Sequence, residues 1–250
     1  MKFKALISFL AFLLILFIIV PMFKLISGAD PGIMNETISD PEVTGSIFLT
    51  LRASLWATIF ALFTGIPLAW VIVRKDFPGK KILEGLIDLP VIIPHTAAGI
   101  ALLSAWGRNS FFTKMTGLTL PGTEAAISIA MFFVSVPFLV NSVKNGLKLV
   151  DSRYEKTART LGATEAQAFF RITLPMIKKS ILSGSIMMWG RGISEFGAVI
   201  ILAYHPKTAP VLIFERFQNF GLKYAIPVTV LMVVISLLIF IITRMFEGRK

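Results

Sequence analysis

The chain has 250 residues, 55% of them hydrophobic and only 16% charged, with a mean hydropathy of +0.79. A soluble domain carries roughly 25% charged residues, so this composition excludes a water-soluble enzyme or binding module. The net charge of +11 comes without a clustered basic patch or interleaved stacking aromatics, which argues against nucleic acid as a partner.

A helix needs about 20 apolar residues to cross about 30 Å of hydrocarbon. Charge-free runs of that order lie between Lys4 and Lys24, Arg52 and Arg74, Asp88 and Arg108, Glu124 and Lys144, and Lys223 and Arg244. A further apolar block from Ser180 to Tyr204 is interrupted by Arg191 and Glu195. The expectation is an all-α integral membrane protein of six transmembrane helices. A first span occupies 1–27, a loop 28–46, and five spans lie within a core at 47–246. The apolar run after Lys2 and Lys4 is longer than the ~7–15 residues of a signal-peptide core. It reads as a retained helix, although Ser27, Gly28 and Ala29 follow it.

In the first loop, Pro31, Gly32, Asn35, Asp40 and Pro41 read as turns. Further loops on the same side fall at about 107–123 and 204–224. Lys2, Lys4, Arg74, Lys75, Lys80, Lys81, the basic residues between Lys144 and Lys179, and Arg244, Arg249 and Lys250 fall on the other side. They are most of the 25 Lys and Arg residues. The positive-inside rule makes their side cytoplasmic and places both termini there, with anionic lipid headgroups as a secondary attraction.

In the third block Pro90 and Pro94 lie four residues apart, and each removes a backbone hydrogen bond. Ala97, Ala98 and Gly99 follow and let another helix approach closely. This pattern suits a gate or static packing equally. Residues 144–179 form the one long cytoplasmic excursion. Ser152 with Glu155, and Thr164 with Gln167, fit two capping boxes. Gly162 lies between the two short helices as a reversal, and Leu174-Pro175 stops the second one. Phe169 and Phe170 read as exposed aromatics. The segment is either a docking knob for a partner's groove or an amphipathic strip lying on lipid.

Arg191 and Glu195 stand well inside a span and share one helical face. Charges there face a partner or an aqueous cavity. They either line an aqueous path or form a self-satisfying structural pair. Ser194 and Thr96 add hydroxyls of suitable type. His95 and His205 make no metal-ligand pair, and cysteine is absent, so no thiolate site exists either.

Glu155-Lys-Thr-Ala158-Arg-Thr-Leu-Gly162, then nine residues to Ile172-Thr173-Leu174-Pro175, resembles the EAA loop of binding-protein-dependent ABC importer permeases. The family pattern is EAA, three residues, Gly, nine residues, I-x-L-P. Ala158, Gly162, Ile172, Leu174 and Pro175 match, while Lys156 and Thr157 replace the family's glutamate and first alanine. The segments Asp88-Leu-Pro90-Val-Ile-Ile-Pro94-His-Thr96-Ala-Ala-Gly99 and Gly192-Ile-Ser194-Glu195-Phe-Gly197, with Tyr204-His205-Pro206-Lys-Thr208-Ala-Pro210, resemble the molybdate, tungstate and sulfate permease group. The latter pair is most similar to its archaeal tungstate/molybdate branch.

The resemblance implies a type I importer fold in the cell membrane, and a transport subunit rather than an enzyme. It implies a second permease copy as a homodimer, a cytoplasmic ABC ATPase dimer and an extracytoplasmic oxyanion-binding protein. ATP and Mg would be held by the ATPase, and this chain carries no G-x-x-x-x-G-K-[ST] loop to cradle phosphates. The coupling loop would be 151–175, with Tyr154, Glu155, Ala158, Gly162, Ala163, Thr164, Phe169, Phe170, Leu174 and Pro175 facing or shaping the ATPase contact. Pro90, Pro94, Thr96, Arg191, Ser194 and Glu195 are the candidates for the path or gate. His205-Pro206 suits a structural or binding-protein contact.

Two other classes fit less well. An ion-coupled secondary transporter needs carboxylates within spans, and only Glu195 qualifies. Its inverted repeats also leave no trace here. An intramembrane enzyme needs a nucleophile–base or metal constellation that the chain does not offer.

Overall fold

The computed structural model describes residues 2–247, all helical or connecting, with no strand among them. Arg249 and Lys250, used above for orientation, lie outside the described residues, as do the side chains of Lys2 and Arg244.

Helix α1 (Lys2–Ser27) is apolar all round and packs only loosely, against the last helix, α14 (Leu222–Glu247). The first loop is not a string of turns. Asp30 Oδ1 accepts hydrogen bonds from Gly32 N at 2.9 Å and Ile33 N at 3.2 Å, which starts α2 (Pro31–Ser39). Asp40 Oδ1 accepts from Glu42 N at 2.8 Å and starts α3 (Pro41–Arg74). An Asp-Pro pair serves a turn and a helix start equally well, because proline at the first helical position gives up an amide that would be unsatisfied anyway. Two helices therefore stand where the residue types suggested loop.

At 34 residues, α3 spans about 51 Å, more than the ~30 Å of a hydrocarbon core. Its partner is α7 (Glu124–Leu149), the central helix of the bundle. Every fourth residue of α3 facing the interior is small: Ala53, Ala57, Ala61, Gly65 and Ala69 are all buried. Lipid is as apolar as leucine, so burial among spans brings little transfer energy, and close backbone approach through small residues replaces it. The hydroxyls on the same helix satisfy themselves. Thr50 and Thr58 donate to the carbonyls of Ser46 and Ser54, and Ser54 donates across to Trp189 O at 2.7 Å.

The third apolar block does not run through as one helix. Helix α4 (Lys80–Ile92) ends at Ile93, and α5 (His95–Trp106) begins after Pro94. The axis turns by 115° between α4 and the stretch His95–Thr116, which includes the short α6 (Phe111–Thr116). Pro94 forces Ile93 out of helical geometry, to φ −73°, ψ 149°. Pro90 stays inside α4, buried, and breaks nothing.

After α7 comes a cluster of short helices: α8 (Arg153–Thr160), α9 (Glu165–Ala168) and α10 (Leu174–Met176). The block expected as the fifth span is likewise two pieces, α11 (Lys178–Ile193) and α12 (Gly197–Leu202), parted at Ser194–Phe196. Helix α13 (Ala209–Phe220) lies between these and α14. Among the described residues, Phe3–Ser27, Pro41–Arg74, Glu124–Leu149 and Leu222–Ile241 are each long and apolar enough to cross a bilayer, and the α4–α5 pair qualifies if taken as one bent span.

The two breaks meet. Helix α5 packs along α12 with almost no side chain between them. A Cβ on Gly99 would stand 2.8 Å from Ile201 Cβ and 2.9 Å from Ala198 O, and one on Gly197 would stand 2.8 Å from His95 Cβ. Only glycine fits at either position. The close approach expected of Ala97-Ala98-Gly99 is therefore made, and its partner is the segment after Glu195.

Candidate functional site

The 151–175 segment is built around one elbow. Helix α8 ends in a Schellman arrangement: Ala163 N donates to Ala158 O and Gly162 N to Arg159 O, both at 3.0 Å. That closure requires Gly162 in the left-handed region, at φ +93°. Helix α9 starts two residues later with the expected capping box. Gln167 N donates to Thr164 Oγ1 at 3.2 Å, and Thr164 N donates to Gln167 Oε1 at 2.9 Å. Ala158 and Gly162, two of the residues that carry the sequence resemblance, thus occupy the positions that turn the chain.

Three local expectations differ. Ser152 makes no side-chain cap; the neighbouring Asp151 Oδ1 accepts from Arg153 N at 2.9 Å instead. Glu155 does not close that capping box, because stronger partners claim it. Its Oε1 accepts from Arg74 Nε and from Thr173 Oγ1, both at 2.9 Å. Leu174-Pro175 does not end the helix. Leu174 stays helical at φ −60°, ψ −46°, and the chain widens into a π-turn at Phe169–Thr173, where Leu174 N donates to Phe169 O. Such a wide turn shifts the hydrogen-bond ladder and makes room for a residue without an amide.

The Arg74–Glu155 pair fastens the elbow to the end of α3. The two side chains are 12% and 13% exposed, and Arg74 Nη2 also donates to Val150 O at 3.0 Å. Phe169 points inward, edge-on to Trp70 with ring centroids 6.1 Å apart, and joins the main core. Phe170 points outward at 63% exposure, with Leu161 at 83% and Tyr154 beside the basic Arg153, Lys156 and Arg159. Of the two phenylalanines, one anchors and one is presented. Leu161 escaped notice in the sequence because a leucine on a polar helix carries no signal of its own.

The second constellation lies where the two broken helices touch. Glu195 is fully buried. Its Oε1 accepts from Ala198 N at 2.9 Å, while its Oε2 stands 3.0 Å from Arg191 Nη2 and 2.9 Å from His95 Nδ1. Arg191 Nη2 lies 2.8 Å from the imidazole nitrogens, and Arg191 Nη1 3.3 Å from Ser194 Oγ. Glu195 Oε2 accepts no hydrogen bond from either neighbour, so on that side the carboxylate acts through charge alone. Arg191 and Glu195 stand together on one side, as their spacing implied, and Ser194 lies beside them. His95 completes the group, and Thr96 follows it with its side chain exposed. Pro94 supplies the break that positions His95. Pro90 lies apart in α4.

Residues 57–250 match the family of binding-protein-dependent transport system inner membrane components. The chain belongs to this family. It is 43% identical over 239 residues to the molybdate/tungstate transport system permease protein WtpB of Thermococcus kodakarensis, covering 95% of this chain and 93% of that one. It is 32% identical to the sulfate transport system permease protein CysT of Escherichia coli, over 86% and 80% of the two chains. In fold it resembles a chain of the crystal structure of a bacterial alginate ABC transporter in complex with its alginate-loaded periplasmic protein. The TM-score is 0.79 at 17% identity, with 99% of this chain and 96% of that one covered. This inner membrane component is accordingly a multi-pass membrane protein, and the family is one of transport subunits.

At the end of this inner membrane component opposite the elbow, ion pairs tie α2, α3 and α13 together. Lys207 Nζ donates to Glu42 Oε1 at 2.8 Å and to Glu215 Oε1 at 2.7 Å, and Tyr204 donates to Glu215 Oε2 at 2.6 Å. Arg216 pairs with Asp40 at 2.5 Å. The hydrogen bonds to Glu215 and Glu42 push the Lys207 ammonium above its usual 10.5. Those from Lys207 and Tyr204 hold Glu215 below 4.5. Burial opposes ionisation of Asp40, but hydrogen bonds from Glu42 N and Arg216 hold it below 3.8. A lowered carboxylate stabilises the fold above its unfolded value and loses that contribution as pH falls through the folded one; a raised lysine loses its own as pH rises through the folded one. The melting temperature of the purified protein is therefore expected to hold steady from about pH 5 to pH 10 and to fall outside that window. Lys207→Met should flatten the part of the acid arm due to Glu215. An acid arm of unchanged steepness in that variant would count against the clamp.

Proposed function

We propose that this chain is the membrane-spanning subunit of an ATP-binding-cassette importer that carries a tetrahedral oxyanion inward, tungstate or molybdate first. In this reading it resides in the cell membrane with six spans and both termini cytoplasmic. The first span is 1–27, the segment 28–46 is extracytoplasmic, and 47–246 forms the core. Two copies make the path. An ATPase dimer, which supplies ATP and Mg chemistry that this chain does not, docks on 151–175, and an extracytoplasmic binding protein delivers the anion.

The observation that carries the reading is the elbow. It presents Tyr154, Leu161 and Phe170 outward among basic residues, and a buried ion pair bolts it to the end of a 34-residue helix. A strip that merely lay on lipid would gain nothing from being fixed to α3 in this way. A docking surface that must pass on displacement needs that stiffness. Ala158, Gly162, Ala163 and Thr164 shape the turn. Glu155, Phe169, Leu174 and Pro175 set its attitude to the bundle. At the other site Pro94, Thr96, Arg191, Ser194 and Glu195 border the path, while Pro90 gives α4 its form.

The relatedness to a sulfate permease favours sulfate as a second cargo. The test is reconstitution with the cognate ATPase and binding protein in proteoliposomes, following uptake of labelled molybdate, tungstate and sulfate. ATP-dependent uptake of one or more of these is the expected result. A complex that assembles and hydrolyses ATP but imports none of them would overturn the reading.

A further inference from the structure

We propose, resting on the transport reading above, that His95, Arg191 and Ser194 form a transit site for the oxyanion, with the Glu195 carboxylate as its resident counter-anion when the site is empty. The argument begins from exposure. Glu195 is fully buried, whereas the side chains of Arg191 and His95 are 22% and 35% exposed. The donors thus have an outward face and the carboxylate stands behind them. An anion arriving from outside the group meets guanidinium and imidazole first, and the Ser194 hydroxyl joins them only by releasing the Arg191 carbonyl, to which it donates at 3.0 Å.

Charge and distance give Glu195 a task. The Arg191 and Glu195 charges cancel, so the guanidinium is not left as an unpaired cation in a low-dielectric bundle. One carboxylate oxygen lies 3.0 Å from Arg191 Nη2 and 2.9 Å from His95 Nδ1, at the separation an oxyanion oxygen would take. The passing anion must therefore compete with an oxygen already in place. That competition keeps occupancy weak, and a conducting site must bind well enough to admit its ion and weakly enough to let it go.

Location supports the same assignment. The group sits where α4–α5 and α11–α12 are both broken, and non-helical backbone at membrane depth is tolerated only against protein or a water-filled cavity. Gly99 and Gly197 hold the two breaks in contact, so His95 from one and Arg191 from the other share one site. The larger cavity nearby, about 940 Å³ with Ser194 at its edge, is lined by Trp189, Phe196, Phe214 and Met232 and offers an oxyanion little.

The experiment measures retention of labelled molybdate by the detergent-purified permease–ATPase complex, and uptake by the same complex in proteoliposomes with loaded binding protein. Glu195→Gln keeps an acceptor for Ala198 N but removes the competing charge. Retention should rise about tenfold, the change that ~1.4 kcal/mol makes in a binding equilibrium, while uptake slows. Arg191→Gln should lower both about tenfold. Retention by Glu195→Gln at or below the parent's value, or parental uptake by Arg191→Gln, overturns the proposal. Should the lone Glu195→Gln change lower the melting temperature, the doubly neutral Arg191→Gln/Glu195→Gln variant takes its place. Its uptake should be lost, and parental uptake overturns the proposal. The unmodified complex separates the two levels: if it imports no oxyanion the transport reading fails, and if it imports while the variants behave as the parent, only the transit site fails.

Discussion

Gly162→Val is expected to leave the permease folded and inserted while cutting anion uptake at least about tenfold. The cause is backbone strain alone. Gly162 sits at φ +93°, and an added Cβ would meet nothing within 4 Å, so no clash contributes. Left-handed geometry costs an L-residue about 1–2 kcal/mol, and a β-branched one more. The elbow relieves this strain by opening its two 3.0 Å closures, Ala163 to Ala158 and Gly162 to Arg159. Once open, it no longer holds Leu161 and Phe170 in one attitude. Gly162→Asn is the control, since asparagine tolerates the left-handed region, and it should retain most of the uptake. The measurement is uptake beside ATP hydrolysis stimulated by the binding protein in the same proteoliposomes. A valine variant with normal values of both would show that the elbow transmits nothing.

Arg74→Ala is expected to release the elbow from the bundle. Arg74 and Glu155 are both nearly buried, and removing one partner of a buried pair costs about 3 kcal/mol because the other charge is left uncompensated. Trypsin should then cut at Arg153, Lys156 and Arg159 much faster, and the ATPase subunit should bind more weakly. Glu155→Ala should act alike. The double variant should be less harmed than the sum of the two, by about 1–3 kcal/mol. Strict additivity, or unchanged cleavage in either single variant, would refute the clamp. Thr173→Val, which removes only the third partner, should have a smaller effect of the same kind.

These two residues also mark how far the sequence could be read. Gly162, Thr164 and Gln167 were legible because their chemistry is local: a left-handed residue and a capping box lie within a few positions of one another. The apolar blocks were legible because lipid imposes a length. Glu155 was misread as a cap because Arg74 lies 81 residues away, and nothing in a single sequence pairs them. His95 was set aside as an isolated histidine for the same reason, being 96 residues from Arg191. The two helix breaks were half legible. Pro94 announced the first, though not its 115° turn. The second contains no proline, and Gly192, Ser194 and Gly197 gave only weak warning. The Asp-Pro pairs at Asp30 and Asp40 show the opposite failure, where a genuine local signal had two local meanings.

The clamp at Glu155 joins three pieces of chain that the sequence keeps apart: the last residue of α3, the first helix of the elbow and the π-turn leading towards α11. A push on the elbow therefore reaches α3 and the π-turn together rather than in succession. Helix α11, 16 residues and about 24 Å long, carries Arg191 in its last turn and ends at the break that holds Glu195. Under the transport reading proposed above, it would carry displacement of the elbow towards that break. Gly184, midway along it, lies close against Ser142 and Leu139 of α7, so the helix keeps its line through packing rather than through helix propensity alone.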